Sequence, residues 1–158
     1  MPDTDPTPEG HTPEAAVELG THWRRLVNDW VRRQHRPYEV NASSVTIEFD
    51  HPEAERKIQL DFAATSNDLL LVMATDDRYL KDDQLAVAAA AANAWNIEWY
   101  APTLSVYNLD GEQPPYLLGF RALPMACRIT QSVFRTMADR WLGESLALFT
   151  WCHRECGL

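Results

Sequence analysis

Residues Gln84 to Tyr100 read QLAVAAAAANAWNIEWY, and this stretch decides the fold. Alanine is the best helix former, and its side chain is a single methyl group. The run therefore predicts one helix that can lie close against a sheet. We expect this helix to end at residues 93–96, which read NAWN, and to lead directly into a strand.

Three strand patterns precede the Ala-rich helix. The first two, at 45–49 and 58–62, alternate apolar and polar residues, as strands with one wet face do. Residues 69–73 are apolar at every position, which predicts a central strand with both faces covered. Short polar turns join the three segments, so an antiparallel meander is the simplest arrangement.

Two strands and one helix are predicted after the Ala-rich helix. The strands should occupy 103–109 and 116–123, and the dipeptide Asp110-Gly111 between them is a hairpin signal. The last helix should begin after Thr130 as N-cap, and its apolar spacing predicts that it extends to Glu155. Its segment 146–152 is apolar nearly all round, which is unusual for a helix at the surface.

An N-terminal helix is predicted before the strands. Its apolar positions recur at helical spacing: Leu19, Trp23, Leu26 and Trp30. Thr12 as N-cap and Pro13 at the first helical position predict its start, and it should end near Gln34. Residues 1–12 are acidic and Pro-rich and have little to bury, so we expect a disordered tail there.

The predicted element order is α-β-β-β-α-β-β-α. This is an α+β fold with a five-stranded, mostly antiparallel sheet packed with three helices. With the motif Asn93-x-Trp95-Asn96 before the fourth strand, the chain resembles the YbjN family of small bacterial proteins over residues 13–156. That family is similar in fold to type III secretion chaperones, and its members have been described as proposed sensory transduction regulators.

The resemblance implies a single YbjN-like domain over residues 13–158. It further implies a non-catalytic domain, often dimeric, with a chaperone-like or regulatory role, since no enzymatic site is established for the family. We therefore expect a protein-binding adaptor that forms a homodimer, holds a protein client and needs no cofactor. In this interpretation the last helix and an exposed sheet surface would hold a partner segment.

Composition narrows the classes of partner and compartment. The 158 residues carry a formal net charge of −9, which disfavours nucleic acid and anionic membranes as binding partners. No apolar run approaches the roughly 20 residues that span a bilayer, and the N-terminus lacks the pattern of a secretory signal. Three cysteines are too few and too odd in number for a disulfide framework. The cytoplasm is therefore the expected location.

Sequence motifs of enzymes are missing from the chain. The six glycines are too dispersed to build a phosphate-binding loop. The sequence contains neither a Gly-x-Ser-x-Gly elbow nor a His-Glu-x-x-His pair. An enzyme with a site assembled from distant residues is therefore the weakest functional hypothesis, after a protein-binding adaptor and a small-molecule sensor.

Asn93, Trp95 and Asn96 are the candidate binding residues. Amides beside an indole could bind a ligand, which makes a small-molecule sensory domain with a pocket near Trp95 the alternative function. The competing interpretation is structural: the amides bond backbone groups at the end of the helix while the indole packs in the core.

Leu148, Trp151 and Cys152 are the candidate interface residues. They lie in the segment of the last helix that is apolar nearly all round. We hypothesise that they cover a subunit or client interface.

Three further groups have weaker claims to a function. Cys152 and Cys156 stand four residues apart and lack the spacing and number of ligands that zinc sites show, so no metal is expected. Acidic residues at 76–77 and 82–83 could hold a cation, but a solvated loop and helix start explain them as well. A basic face on the first helix could contact an acidic partner or be solvated: Arg24, Arg25, Arg32, Arg33 and Arg36.

Overall fold

The computed structural model describes residues 14–108 and 113–158. The predicted tail at 1–12, the helix start at Thr12 and Pro13, and the Asp110-Gly111 turn lie outside these residues. Within these residues there are three helices, α1 (Leu19–Arg33), α2 (Leu85–Glu98) and α3 (Gln131–Cys156), and one 3-10 turn, Asp82–Gln84, precedes α2. The strands are β1 (Val17–Glu18), β2 (Tyr38–Val40), β3 (Ser44–Asp50), β4 (Lys57–Ala64), β5 (Leu69–Asp76), β6 (Thr103–Tyr107), β7 (Tyr116–Pro124) and β8 (Arg128–Ile129).

Six strands form one sheet in the order β2-β3-β4-β5-β7-β6, and every neighbouring pair is antiparallel. The α+β class, the meander of β3, β4 and β5, and the hairpin of β6 and β7 confirm the prediction. The predicted count of five strands is wrong, because the exposed strand β2 adds a sixth at the edge. Strands β1 and β8 also pair with each other as a separate two-stranded sheet.

One face of the sheet packs against helices and forms part of the hydrophobic core. Alternate residues of β3, β4 and β5 are buried there, and Phe62 stands opposite Val72 in the ladder. The indole of Trp30 in α1 contacts the ring of Phe62 at 5.5 Å between centroids, and Trp141 in α3 contacts the same ring at 6.3 Å. Helices α1 and α3 therefore share this face.

The beginning of α1 differs from its prediction. The helix starts at Leu19, after β1, and not near Thr12. The backbone N–H of Leu19 donates to the carbonyl of Cys127, so the pairing of β1 with β8 leads into the helix. The predicted end is confirmed, since Gln34 is the C-cap.

Helix α3 crosses β7 at a residue without a side chain. A Cβ atom on Gly119 would stand 2.6 Å from Cδ2 of Leu148, closer than any ordinary carbon contact. Glycine at this position therefore lets the helix approach the sheet. Thr130 caps the helix as predicted, because its hydroxyl accepts from the backbone N–H of Val133 at 3.2 Å.

The opposite face of the sheet carries no helix among the described residues. Strand β5 is central, as predicted, but only its inner residues are buried, while Leu71 and Met73 are half-exposed. The prediction that both faces of β5 are covered is therefore wrong for the described chain. The apolar residues of the uncovered face have to be explained in another way.

Candidate functional site

The NAWN motif joins the end of α2 to β6. The side-chain amide of Asn96 donates to the carbonyl of Leu104 at 2.9 Å, and its oxygen accepts from the N–H of Leu104 at 2.8 Å. The indole N–H of Trp95 donates to the carbonyl of Pro102 at 2.8 Å. Asn93 is exposed. The polar atoms of Trp95 and Asn96 thus bond the chain's own backbone, and the ring of Trp95 is only 4% exposed.

That ring lines a cavity between α2 and α3. The cavity has a volume of about 370 Å³, and its walls are mostly apolar, with four aromatic side chains among them. Trp95 stacks on Trp99, with centroids 5.3 Å apart and planes inclined by 21°. Trp151 meets Trp95 from α3 at 5.4 Å and 51°. The exposed ring of Tyr100 completes the aromatic walls.

Three charged side chains line the other side of the same cavity. Glu144 accepts from Arg140 at 2.7 Å and from Arg121 through its second oxygen. The guanidinium of Arg121 is mostly covered and lies 5.8 Å from the ring centroid of Trp141. Arg140 is 78% exposed and bonds Glu144 through Nε alone among the described residues. The cavity therefore combines flat apolar walls with an excess of one positive charge.

The uncovered side of the sheet is a second candidate site, which we call the open face. Its apolar part spans β5, β7 and β6 and consists of Leu71, Met73, Tyr107, Tyr116, Leu118 and Phe120. These side chains line a shallow cavity of about 470 Å³. Leu118 is buried among its neighbours and the other five side chains are partly exposed. A contiguous apolar surface that is partly exposed in this way can mark a place where another molecule binds.

The open face becomes polar and acidic toward β3 and β4. Glu48 lies beside Gln59 in the ladder, and Asp61 lies beside Thr46, whose hydroxyl donates to it. Partial burial raises the pKa of the Asp61 carboxyl, and the hydrogen bonds from Thr46 and Gln59 oppose that effect. A partner on this face would thus meet an apolar area bordered by carboxyl groups.

The structure separates the three predicted interface residues. Leu148 and Cys152 are 0% and 1% exposed within the chain's own core, so they cannot cover an interface while the core is closed. That part of the prediction is wrong, because the apolar circumference of α3 is covered by the sheet on one side and by α2 on another. Trp151 is half-buried and lines the cavity between α2 and α3.

The cysteines form no metal site in the described chain. No group of three or more metal-ligating side chains occurs among residues 14–108 and 113–158. Cys152 is buried, and burial raises its pKa to about 12. Cys127 is exposed, and its thiol donates to the carbonyl of Pro124 at 3.4 Å.

The acidic residues also have protein partners. Asp76 is buried and accepts from Arg56 at 2.9 Å and from Arg78 at 3.2 Å. Asp77 accepts from the backbone N–H of Lys57 at 3.1 Å. These carboxylates stabilise the ends of β4 and β5, and the structure does not gather them with Asp82 and Asp83 around a cation.

The basic face of α1 is partly used inside the molecule. Arg24 donates to the carbonyls of Asn41 and Ala42, beyond β2. Arg33 pairs with Asp29 of its own helix at 3.3 Å, and Arg36 pairs with Asp50 at 2.6 Å. These contacts favour the structural interpretation for three of the five arginines.

A histidine lies beside the buried Arg56. His51 is 5% exposed, and its ring meets that of His153 at 5.6 Å. His153 contacts Arg56 through Nδ1 at 2.8 Å. Burial lowers the pKa of His51, and the positive charges of Arg56 and His153 act in the same direction. Protonation of His51 at low pH should therefore destabilise this part of the fold.

Sequence reasoning missed the charged side of the aromatic cavity. Arg121 lies on β7, while Arg140 and Glu144 lie on α3, so only folding brings them beside Trp95. The spacing of Arg140 and Glu144, four residues apart, was the one available signal that they share a helix face.

In the part of the chain that the structure describes, no helix is long and apolar enough to cross a lipid bilayer. Comparison of the sequence with family models finds no match, and no curated protein matches it. Comparison with solved structures does find a similar fold. The crystal structure of YbjN from E. coli, a proposed transcription regulator, superposes with a TM-score of 0.67.

The chain has the YbjN fold. The superposition covers 89% of this chain and 96% of the E. coli protein, at 12% sequence identity. The resemblance that the element order and the NAWN motif indicated is therefore confirmed at the level of the fold. At this identity the shared fold does not establish a function, which depends on the residues of this chain's own surfaces.

Proposed function

We propose that this chain is a non-catalytic, protein-binding module that acts as a chaperone-like or regulatory adaptor in the cytoplasm. The observation that supports the proposal most is the open face, where apolar side chains of three adjacent strands lack a covering element among the described residues. The description of E. coli YbjN as a proposed transcription regulator is consistent with a regulatory role.

The chemistry of the open face indicates the kind of partner. Its apolar part would take leucine-like and aromatic side chains, which contribute most to protein interfaces. The carboxyl groups of Glu48 and Asp61 border that part, so basic residues should flank the partner's apolar segment. A second copy of this acidic chain or a separate client could supply such a segment, and the two have different masses.

Site-specific photo-crosslinking tests the proposal. A photoreactive residue in place of Met73 lies on the open face, while one in place of Val133 lies on the exposed side of α3. Crosslinking in cells should give one discrete product from position 73, whose mass identifies a second copy or a client. Equal labelling from both positions, or no product from position 73, would contradict the proposal.

A small-molecule sensory domain is the second candidate function. The observation that favours it is the cavity of about 370 Å³ beside Trp95, at the size where small-ligand sites begin. A ligand there would perturb the indole N–H signals of Trp99 and Trp151 in a ¹⁵N–¹H NMR spectrum. Absence of any such change with ligands of several chemistries would remove this candidate.

A further inference from the structure

The charges at the aromatic cavity select among ligands. Two guanidinium groups, those of Arg121 and Arg140, face one carboxylate, Glu144. Each oxygen of that carboxylate already accepts from one of the two arginines. A cationic ligand would be repelled by the net positive charge of this wall, and both oxygens of Glu144 are already occupied by arginines. The aromatic walls alone therefore do not make this a site for ammonium groups.

Arg140 is the donor that a ligand can reach. Its guanidinium is 78% exposed and uses only Nε toward Glu144, so both terminal nitrogens have no partner among the described residues. Two terminal N–H groups in one plane match the two oxygens of a carboxylate. The mostly covered guanidinium of Arg121 holds Glu144 from the other side and keeps the arrangement in place.

The aromatic walls define the rest of the ligand. The ring of Trp99 is 53% exposed, and Trp151 and Ala147 lie across the cavity on α3. Flat indole faces favour stacking with a flat ring over contact with a branched aliphatic chain. The volume of about 370 Å³ is at the small end for ligand sites and suits a ligand of one or two fused rings.

We propose that this cavity binds a planar aromatic carboxylate, with the ring against Trp99 and Trp151 and the carboxylate on Arg140. The inference rests on the second candidate function, because it names the ligand class of the same cavity. It is independent of the open face, which lies on the other side of the sheet.

A titration with three probes of one shape tests the ligand class. The probes are 2-naphthoate, the neutral 2-naphthalenemethanol and the cationic 2-naphthylmethylammonium, and the readout is the six tryptophan indole signals in a ¹⁵N–¹H spectrum. We expect 2-naphthoate to shift the signals of Trp99 and Trp151 and to bind about two- to fivefold more tightly than the neutral probe. That ratio is the range for an ion pair exposed to solvent.

Two variants identify the groups responsible. Arg140→Gln should remove the preference for 2-naphthoate over the neutral probe and leave the neutral probe's affinity unchanged. Ala147→Leu should fill the cavity and prevent binding of both probes, while the matched change Ala90→Leu, on the exposed side of α2 away from the cavity, should not. Both alanines are exposed helix positions, so neither change strains the core.

The outcomes separate the ligand class from the site. Equal or tighter binding of the neutral or cationic probe would overturn the carboxylate class while the site itself stands. Indole signals that no probe shifts would overturn the site and, with it, the second candidate function. Binding that survives Ala147→Leu would place the probe elsewhere and would also overturn the inference.

Discussion

Replacing Asn96 by alanine should destabilise the protein, because this side chain pairs with both backbone groups of Leu104. The two hydrogen bonds measure 2.9 and 2.8 Å, and the residue that receives them is 1% exposed. At about 1 kcal/mol net for each bond, their loss costs about 2 kcal/mol. Alanine returns up to about 0.5 kcal/mol in helix propensity, so the net loss should be about 1.5 kcal/mol.

The matched control for this change is Asn93→Ala, in the same motif and on the same helix. Both asparagines are exposed, but the side chain of Asn93 makes no hydrogen bond to another described residue, so its replacement should be neutral or stabilising by up to about 0.5 kcal/mol. The two variants should therefore differ by about 2 kcal/mol in free energy of unfolding, measured by urea titration with circular dichroism. In a domain of this length that difference corresponds to about 4–8 °C in Tm.

A difference below about 0.5 kcal/mol between the two variants would refute the reasoning. It would mean that the contacts of Asn96 with Leu104 are not made in solution or do not hold β6 against α2. The structural interpretation of the NAWN motif would then be lost.

Two further predictions concern packing and pH. Gly119→Ala should destabilise the fold by about 1–3 kcal/mol, because its Cβ would stand 2.6 Å from Leu148. Gly143→Ala, with open space around it in α3, should stabilise the fold by about 0.5–1 kcal/mol. Urea titration measures both changes, and equal effects would contradict the packing argument. Burial lowers the pKa of His51, so below about pH 6.5 the unfolded chain binds a proton that the folded chain resists, and stability should fall as the pH decreases. His51→Gln should weaken this fall between pH 7.5 and 5.5, and an unchanged fall in urea titrations at these pH values would contradict the prediction.

The sequence predicted the elements that carry a long periodic signal. Helix α1 shows its apolar stripe from Leu19 to Trp30, strand β3 alternates over its whole length, and β4 alternates over residues 57–62. The family resemblance rested on the order of these elements and on the NAWN motif, and the YbjN fold confirms it. The hydroxyl cap at Thr130 was also readable, because its chemistry is local.

Short strands were not predictable, because two or three residues show no period. Strand β2 is exposed at all three positions, and β1 is made by pairing with β8, which lies more than a hundred residues away. The predicted start of α1 is wrong because a distant pairing overrides a local signal. The cap chemistry of Thr12 and Pro13 indicates an earlier beginning, while pairing with β8 makes residues 17–18 a strand.

The candidate sites show a similar division. The indole of Trp95 was found from sequence because its motif is local, but Arg121 and Glu144 meet it only after folding. The hypothesis of a subunit or client interface at Leu148 and Cys152 fails because periodicity cannot tell a helix covered on two sides from one that meets a partner. The open face could not be predicted from β5, because the uninterrupted apolar run of this strand indicated burial on both sides.

Native mass spectrometry of gently purified protein tests the central claim, that the open face binds a protein. The wild-type chain should carry a second polypeptide, either another copy or a client. Phe120→Glu places a charge in the open face and should release that polypeptide, while the matched change Val133→Glu on α3 should retain it. A wild-type chain that is monomeric and bare, or the same bound mass in Phe120→Glu, would contradict the account.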